Sequence, residues 1–232
     1  MIQPLPNVLL TRPEPDSRAL ATWIGGRARV VISPLMEIAP VGRVPDLGGA
    51  RGVILTSRHA VPLIGPGRGR QAFVVGERTA QVAREAGWDV ARVAPDAETL
   101  LAALVAQPPD GPLLHLRGAV VRGDLAARLS AAGIETADRV VYHQHARKLG
   151  TEAREMLSGT GRVILPLFSP RSAALLGNEA PFRAFLDVVA LSPAVADAAQ
   201  VVRPDAVTVA ERPDLAALKA ALSGRLDAVT PP

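Results

Sequence analysis

Short apolar runs rich in valine, isoleucine and leucine alternate along this chain with alanine- and leucine-rich stretches whose apolar positions recur every three or four residues. The runs read as buried strands and the stretches as helices. Val8 to Pro13 (VLLTRP) opens as a strand. Pro15 to Ile24 follows as a helix with Leu20, Trp23 and Ile24 on one face, Asp16 or Ser17 as its cap and Gly25-Gly26 as its stop. Arg29 to Val41 is extended chain broken at Pro34, and the glycine- and proline-rich stretch from Pro40 to Gly52 marks a boundary. Next come a strand in Val53 to Val61, a strand–glycine turn–helix in Phe73 to Gly87, a strand in Asp89 to Ala94 and a helix in Ala97 to Val105. Leu113 to Gly118 reads as a strand and Gly123 to Gly133 as a helix.

RVVYHQHAR, Arg139 to Arg147, begins as a strand, since Val140, Val141 and Tyr142 are β-branched or aromatic. Thr151 to Gly159 is a helix capped by Thr151. Arg162 to Gly177 and Asp187 to Ala199 are each a strand, a Ser-Pro turn and a helix. Ala206 to Ala210 is a strand, Pro213 to Leu222 a closing helix, and Asp227 to Pro232 a tail expected to fray.

Strands alternating with helices give parallel sheets built from βα units. The sequence also echoes itself: the turn, alanine-rich helix, valine strand and leucine–alanine helix from Gly76 to Leu104 recur from Leu191 to Leu222. The expected fold class is therefore α/β, with two flavodoxin-like parallel-sheet domains joined by a two-stranded linker. The first domain is discontinuous, residues 1–38 plus 147–232. Residues 39–138 form an inserted second domain, and 139–146 the return linker strand. The side chains of that strand are expected in the cleft between the domains.

Composition narrows the function. The chain has 232 residues and is 48% hydrophobic, enough for real cores, yet no apolar run approaches the ~18 residues of a membrane span. Its start lacks the order of a secretory signal, and with no cysteine there is neither a disulfide framework nor a thiolate metal site. Of His59, His115, His143 and His145 only the last two are close in sequence, which supports zinc poorly. A soluble cytoplasmic protein, monomeric and without cofactor, is the default expectation. Net charge is +4, and among 26 basic residues only Lys148 and Lys219 are lysines. The arginines are scattered and aromatics make up 3% of the chain, so neither a nucleic-acid stripe nor stacking platforms are visible. A small multiply charged anion suits arginine's planar fork better.

The candidate chemistry lies where strands end: Thr11-Arg12, Thr56-Ser57-Arg58, Gly76-Glu77-Arg78-Thr79, Arg117-Gly118, Ser169-Pro170-Arg171-Ser172 and Ser192-Pro193. Ligands of open α/β sheets bind at the carboxyl ends of strands, where helix N-termini favour anions. Serine, threonine and glycine are equally ordinary caps, so a single junction reads first as capping. Glu77 reads as a helix start, and His59 and His115 as structural histidines. Tyr142, the one tyrosine, is either a half-buried strand residue or a functional phenol. No GxSxG, HExxH, P-loop or GxGxxG motif is present. Gly65 to Gly69 (GPGRG) reads as a surface loop. The pattern fits an enzyme that holds and orients its substrate, or a non-catalytic two-domain module for small polyanions.

VLLTRPEPDS, VILTSRHAV, VVGERTAQVAREAG, LRGAVVRGDLAARLSAAG, RVVYHQHAR, LFSPRSA and ALSPAVADAA, in this order and spacing, resemble the uroporphyrinogen-III synthase family. The resemblance implies two α/β domains with substrate in the cleft. It also implies that linear hydroxymethylbilane is cyclised to uroporphyrinogen III with inversion of the terminal ring and loss of water, whereas the uncatalysed bilane closes without inverting it. The substrate carries eight carboxylates, and the upstream enzyme that makes it is a candidate partner. By this resemblance Tyr142 is the catalytic residue, helping the terminal hydroxyl to leave. The family's glycine turn falls on Gly76 and its Ser-Pro turn on Ser169 and Pro170. Thr11, Arg12, Thr56, Ser57, Arg58, Gly76, Arg78, Thr79, Arg117, Ser169, Pro170, Ser172 and Ser192 are the expected substrate-binding residues. Where many members carry Ile-Gly-Pro and a threonine pair, this chain has Leu191, Ser192, Pro193, Ala194 and Val195, so no hydroxyl role carries over to Ala194 or Val195.

Overall fold

The computed structural model describes residues 5–120 and 123–228; the tail expected to fray falls largely on 229–232, outside the described residues. In chain order the elements are β1 (Asn7–Leu10), α1 (Glu14–Ile24), β2 (Arg29–Ile32), β3 (Met36–Pro40), β4 (Gly52–Leu55), β5 (Gln71–Val75), α2 (Glu77–Glu85), β6 (Asp89–Ala94), α3 (Ala97–Ala106), β7 (Leu113–Gly118), α4 (Leu125–Ala131), β8 (Thr136–Ala146), α5 (Thr151–Ser158), β9 (Arg162–Leu167), α6 (Pro170–Gly177), β10 (Phe185–Ala190), α7 (Pro193–Ala199), β11 (Ala206–Val209) and α8 (Leu215–Asp227). They form two compact units, one of Met1–Glu37 with Ala146–Pro232, the other of Ile38–His145.

The first unit holds a five-stranded sheet in the order β11-β10-β9-β1-β2, parallel throughout. Its connections reverse direction between β1 and β9, the switch point of a doubly wound sheet. Alternation along the strands divides the core into two layers. Leu9, Val31, Val163, Leu165 and Val188 pack with Ala153, Leu157, Ala173, Leu176 and Val195 of α5, α6 and α7. Val8, Leu10, Ile164 and Val189 pack with Leu20 and Ile24 of α1 and Leu218 and Leu222 of α8. Strands covered on both faces read as unbroken apolar runs, which is why β9 and β10 are so plain in the sequence.

The second unit holds a six-stranded sheet in the order β3-β8-β7-β4-β5-β6. From β8 to β6 neighbours are parallel, and the switch point lies between β4 and β7. Val53, Leu55, Val74, Leu114, Leu116 and Trp88 fill one layer with α2, and Ile54, Phe73 and Leu113 the other with Leu100, Leu104, Leu125 and Leu129 of α3 and α4. β3 lies beside β8. Val41 N bonds Val141 O at 2.9 Å and Arg147 N bonds Leu35 O at 2.9 Å, so the two strands run antiparallel. β8 begins at Thr136 and pairs with β7 up to Tyr142, so the first half of the stretch expected as a return linker is a full member of this sheet.

Several local expectations change. α5 begins at Thr151 itself, behind Gly150 and with no side-chain cap bond. α1 starts at Glu14 behind Pro13 with no side-chain cap; Ser17 is buried and its hydroxyl donates instead to Arg12 O at 2.9 Å. Trp23 is half-buried, lying under the Arg27 guanidinium, with Leu20 and Ile24 taking the core face. GPGRG is more than a surface loop: Gly67 is buried against Trp88, where a β-carbon would come within 2.5 Å of the Trp88 backbone. Among the described residues no helix is long and apolar enough to cross a membrane.

Candidate active site

In the second unit the carboxyl ends of β8, β7, β4 and β5 are neighbours, so topology gathers Tyr142, Gly118, Thr56-Ser57-Arg58 and Gly76 along one rim. Tyr142 is 3% exposed and belongs to the core layer with Leu116 and Trp88. Its ring meets that of His59 edge-on, with centroids 6.2 Å apart, and lies directly over Gly118. Among the described residues no group hydrogen-bonds the phenol oxygen, and Trp88 Nε1 is the buried side-chain polar atom left unpaired. The Tyr142 ring is enclosed by that core layer.

The neighbouring residues divide by face. Thr56 Oγ1 and His115 Nε2 are 3.1 Å apart. His115 is 4% exposed, and burial, reinforced by the nearby Arg117 charge and partly opposed by Asp138, pushes its pKa down to about 4. A pKa that low favours the neutral ring at neutral pH. Arg117 pairs with the Asp138 carboxylate and donates to Gly118 O at 3.2 Å. It lines a cavity of about 240 Å³ with His115, Asp124 and Asp138, on the face of the sheet that packs against α4. Gly118 alternates to the opposite face and meets Tyr142, so Arg117 and the phenol share a strand end but not a side of the sheet. Ser57 Oγ accepts from His59 N at 3.3 Å, and Arg58 is half-buried. Gly76, at φ +81°, precedes α2; Glu77 and Arg78 open that helix exposed, while Thr79 is buried at 6%.

In the first unit the ends of β1, β9 and β10 bring together Thr11, Arg12, Ser169, Pro170, Ser172 and Ser192 across the switch point. Thr11 is 1% exposed, and its carbonyl accepts from Leu35 N at 3.0 Å. The Arg12 guanidinium sits 3.9 Å over the Phe168 ring and 3.2 Å from Asp16. Ser169 caps α6, accepting from Ser172 N at 3.1 Å, and its hydroxyl lies 2.9 Å from Ser172 Oγ. Pro170 is exposed at the first position of α6, where its fixed φ suits a helix start. Ser192 precedes α7 without a side-chain cap bond. Ala194 is exposed on α7, and Val195, 2% exposed, belongs to the core. Capping thus accounts for Ser169 and Ser172 and not for Ser192.

Phe168 beneath Arg12 and Asp138 against Arg117 were not legible in the sequence, being long-range partners with no motif. Gly118 stood among the candidate strand ends, but its contact with the Tyr142 ring was not legible. No group of three or more histidine, aspartate or glutamate side chains placed to hold a metal ion occurs among the described residues.

Two doubly wound α/β units, one inserted in the other and each with a polar strand-end rim, define a class of two-unit α/β proteins without a nucleotide-binding motif. A family model described as uroporphyrinogen-III synthase HemD matches residues 25–220. The chain belongs to the uroporphyrinogen-III synthase family. The fold is that of solved family structures. The Helicobacter pylori 26695 uroporphyrinogen-III synthetase is 19% identical, with a TM-score of 0.65 over 95% of this chain and 100% of that one. A mutant uroporphyrinogen III synthase from the extremely thermophilic bacterium Thermus thermophilus is 17% identical, with a TM-score of 0.53 over 97% and 98%. No curated protein sequence matches the chain. Family membership carries the cyclising synthase activity of heme biosynthesis, in preference to a binding module without catalysis.

Proposed function

We propose that the rim of the second unit, with Tyr142 at it, is where this chain closes hydroxymethylbilane to uroporphyrinogen III, inverting the terminal ring and losing water. The observation that carries the assignment is the chain's one phenol at a strand-end rim, its ring enclosed by core residues and held over Gly118, with no hydrogen-bond partner for its hydroxyl among the described residues. A phenol carries its proton at neutral pH. Tyr142 donates a hydrogen bond or proton to the terminal hydroxyl of the bilane as its C–O bond breaks. The oxygen leaves as water and a cationic azafulvene remains. The final pyrrole then attacks through its substituted carbon; the resulting spiro centre rearranges to the inverted ring, and the proton lost from that ring's formerly unsubstituted carbon restores the phenol. Spontaneous closure joins the unsubstituted carbon instead, so the protein's main contribution is orientation, with acid help from one phenol.

Thr56, Ser57, Arg58, Gly76, Arg78 and Thr79 in the second unit, and Thr11, Arg12, Ser169, Pro170, Ser172 and Ser192 in the first, are the residues we assign to the substrate carboxylates, through hydroxyls, guanidinium groups and backbone N–H groups at helix starts. Arg117 belongs to this set only if its bond to Asp138 opens, since that pair already satisfies it. The inserted domain of residues 39–138 and its return strand at 139–146 form the functional division of the chain. We further propose that the protein acts as a cytoplasmic monomer and receives its substrate from the bilane-producing enzyme, because a substrate that closes spontaneously favours short transit.

Feeding preformed hydroxymethylbilane and separating the product isomers tests the assignment. The type III isomer is expected, well above the spontaneous rate. The type I isomer alone, at the spontaneous rate, would remove the activity from this chain.

A further inference from the structure

The pairing of β7 with β8 contains an irregularity at one place, and that place lies under the phenol. The two strands run in step from Leu113 opposite Thr136 to Arg117 opposite Val140, then skip a residue, so that Gly118 stands opposite Tyr142. Val141 is the extra residue. Its carbonyl accepts from Val41 N across the other edge of β8, while the Tyr142 carbonyl accepts from Ala119 N, both at 2.9 Å. Strict alternation would send the Val141 and Tyr142 side chains to opposite faces of the sheet. The bulge brings both into the same core layer.

Gly118 then leaves room for the ring. A β-carbon built on it would lie 2.6 Å from Cε2 and Cζ of Tyr142 and 2.9 Å from the phenol oxygen, closer than real β-carbons come to any atom. Those atoms belong to a ring enclosed on its remaining sides and cannot swing away cheaply. Any residue but glycine displaces the hydroxyl-bearing end of the ring.

We propose that Gly118, together with the extra residue Val141, is the positioning device that sets the Tyr142 hydroxyl at the point where the leaving oxygen must be met. This rests on Tyr142 being the donor. Gly118 touches no reacting atom; it acts through the phenol, whose useful range for proton donation is a few tenths of an ångström wide.

The test is a cycle of Gly118→Ala, Tyr142→Ala and the double variant, each assayed with hydroxymethylbilane for kcat, KM and isomer ratio, with thermal unfolding in parallel. Gly118→Ala is expected to lower kcat at least about tenfold, change KM by less than about twofold and raise the share of type I product. In the Tyr142→Ala background the same substitution should change kcat by less than about twofold, because the ring it displaces is gone. An unchanged kcat in Gly118→Ala, or an equal loss in both backgrounds, overturns the proposal. If Gly118→Ala fails to fold, the double variant must fold, since the overlap is removed; a double variant that stays unfolded also overturns it. Full activity in Tyr142→Ala would instead defeat the donor assignment. In that event the unfolding temperatures still report on the device: a fall caused by Gly118→Ala only where the ring is present supports it, and an equal fall in both backgrounds overturns it.

Discussion

Tyr142 and His115 lie one strand apart in the same sheet, and enclosure has opposite meanings for them. For the tyrosine it immobilises the ring that carries the proposed donor. Replacing it by phenylalanine keeps the ring over Gly118 and removes only the donor. Tyr142→Phe should lower kcat at least about tenfold with unfolding temperature preserved, and an unchanged turnover would take the phenol out of the mechanism. For the histidine, enclosure favours the neutral ring. Its folded-state pKa of about 4 lies below its ordinary 6.5. The unfolded chain therefore binds a proton that the folded chain refuses anywhere between those values. This contribution to stability is complete above pH 6.5, falls as pH drops toward 4 and is flat below. Urea unfolding at pH 7 and pH 5 should show a loss of about 2 kcal/mol from this residue. The loss should be absent in His115→Gln, whose side chain can still bond Thr56; an identical loss in the variant would show that other groups carry it.

At the scale of elements, each unit depends on how its helices are fixed to its sheet. In the first unit a buried carboxylate does part of this. Asp187 of β10 is 0% exposed and takes both Arg162 of β9, whose Nε donates at 3.0 Å, and Arg225 of α8, whose Nε donates at 2.9 Å. The apolar face of α8 cannot set its own register along the sheet, because leucine and alanine recur all round it; a charged bond near its end can. Removing the carboxylate loses bonds to both guanidinium groups, whereas removing one arginine leaves the other pair intact. Asp187→Asn is expected to cost about 2–3 kcal/mol in denaturant unfolding and more than Arg225→Ala. The reverse order would assign the stabilisation to α8 packing instead. Helices and strands such as α2, α3, β9 and β10 were legible beforehand because burial on one stripe or two faces leaves a periodic mark. The start of α1 was not, because Ser17 looks like a cap in sequence and becomes one only if the chain before it is free; here Pro13 and Arg12 are drawn onto the end of β1.

On the scale of the whole molecule, a chain of alternating strands and helices, echoed between its halves, determined an α/β protein of two doubly wound sheets, since apolar periodicity depends only on which faces are covered. It likewise determined which residues end strands, and so which side chains can stand on a binding rim. Sequence could not order those strands side by side. Strand order decides that Thr56 meets His115, that Arg12 lies on Phe168 beside Ser169, and that Arg117 turns to Asp138 away from the phenol. Nor could sequence reveal that one skipped residue carries Tyr142 onto Gly118. A bulge changes no residue type and leaves no period behind; it exists only in the hydrogen bonds between two strands, and those form only once the sheet is assembled.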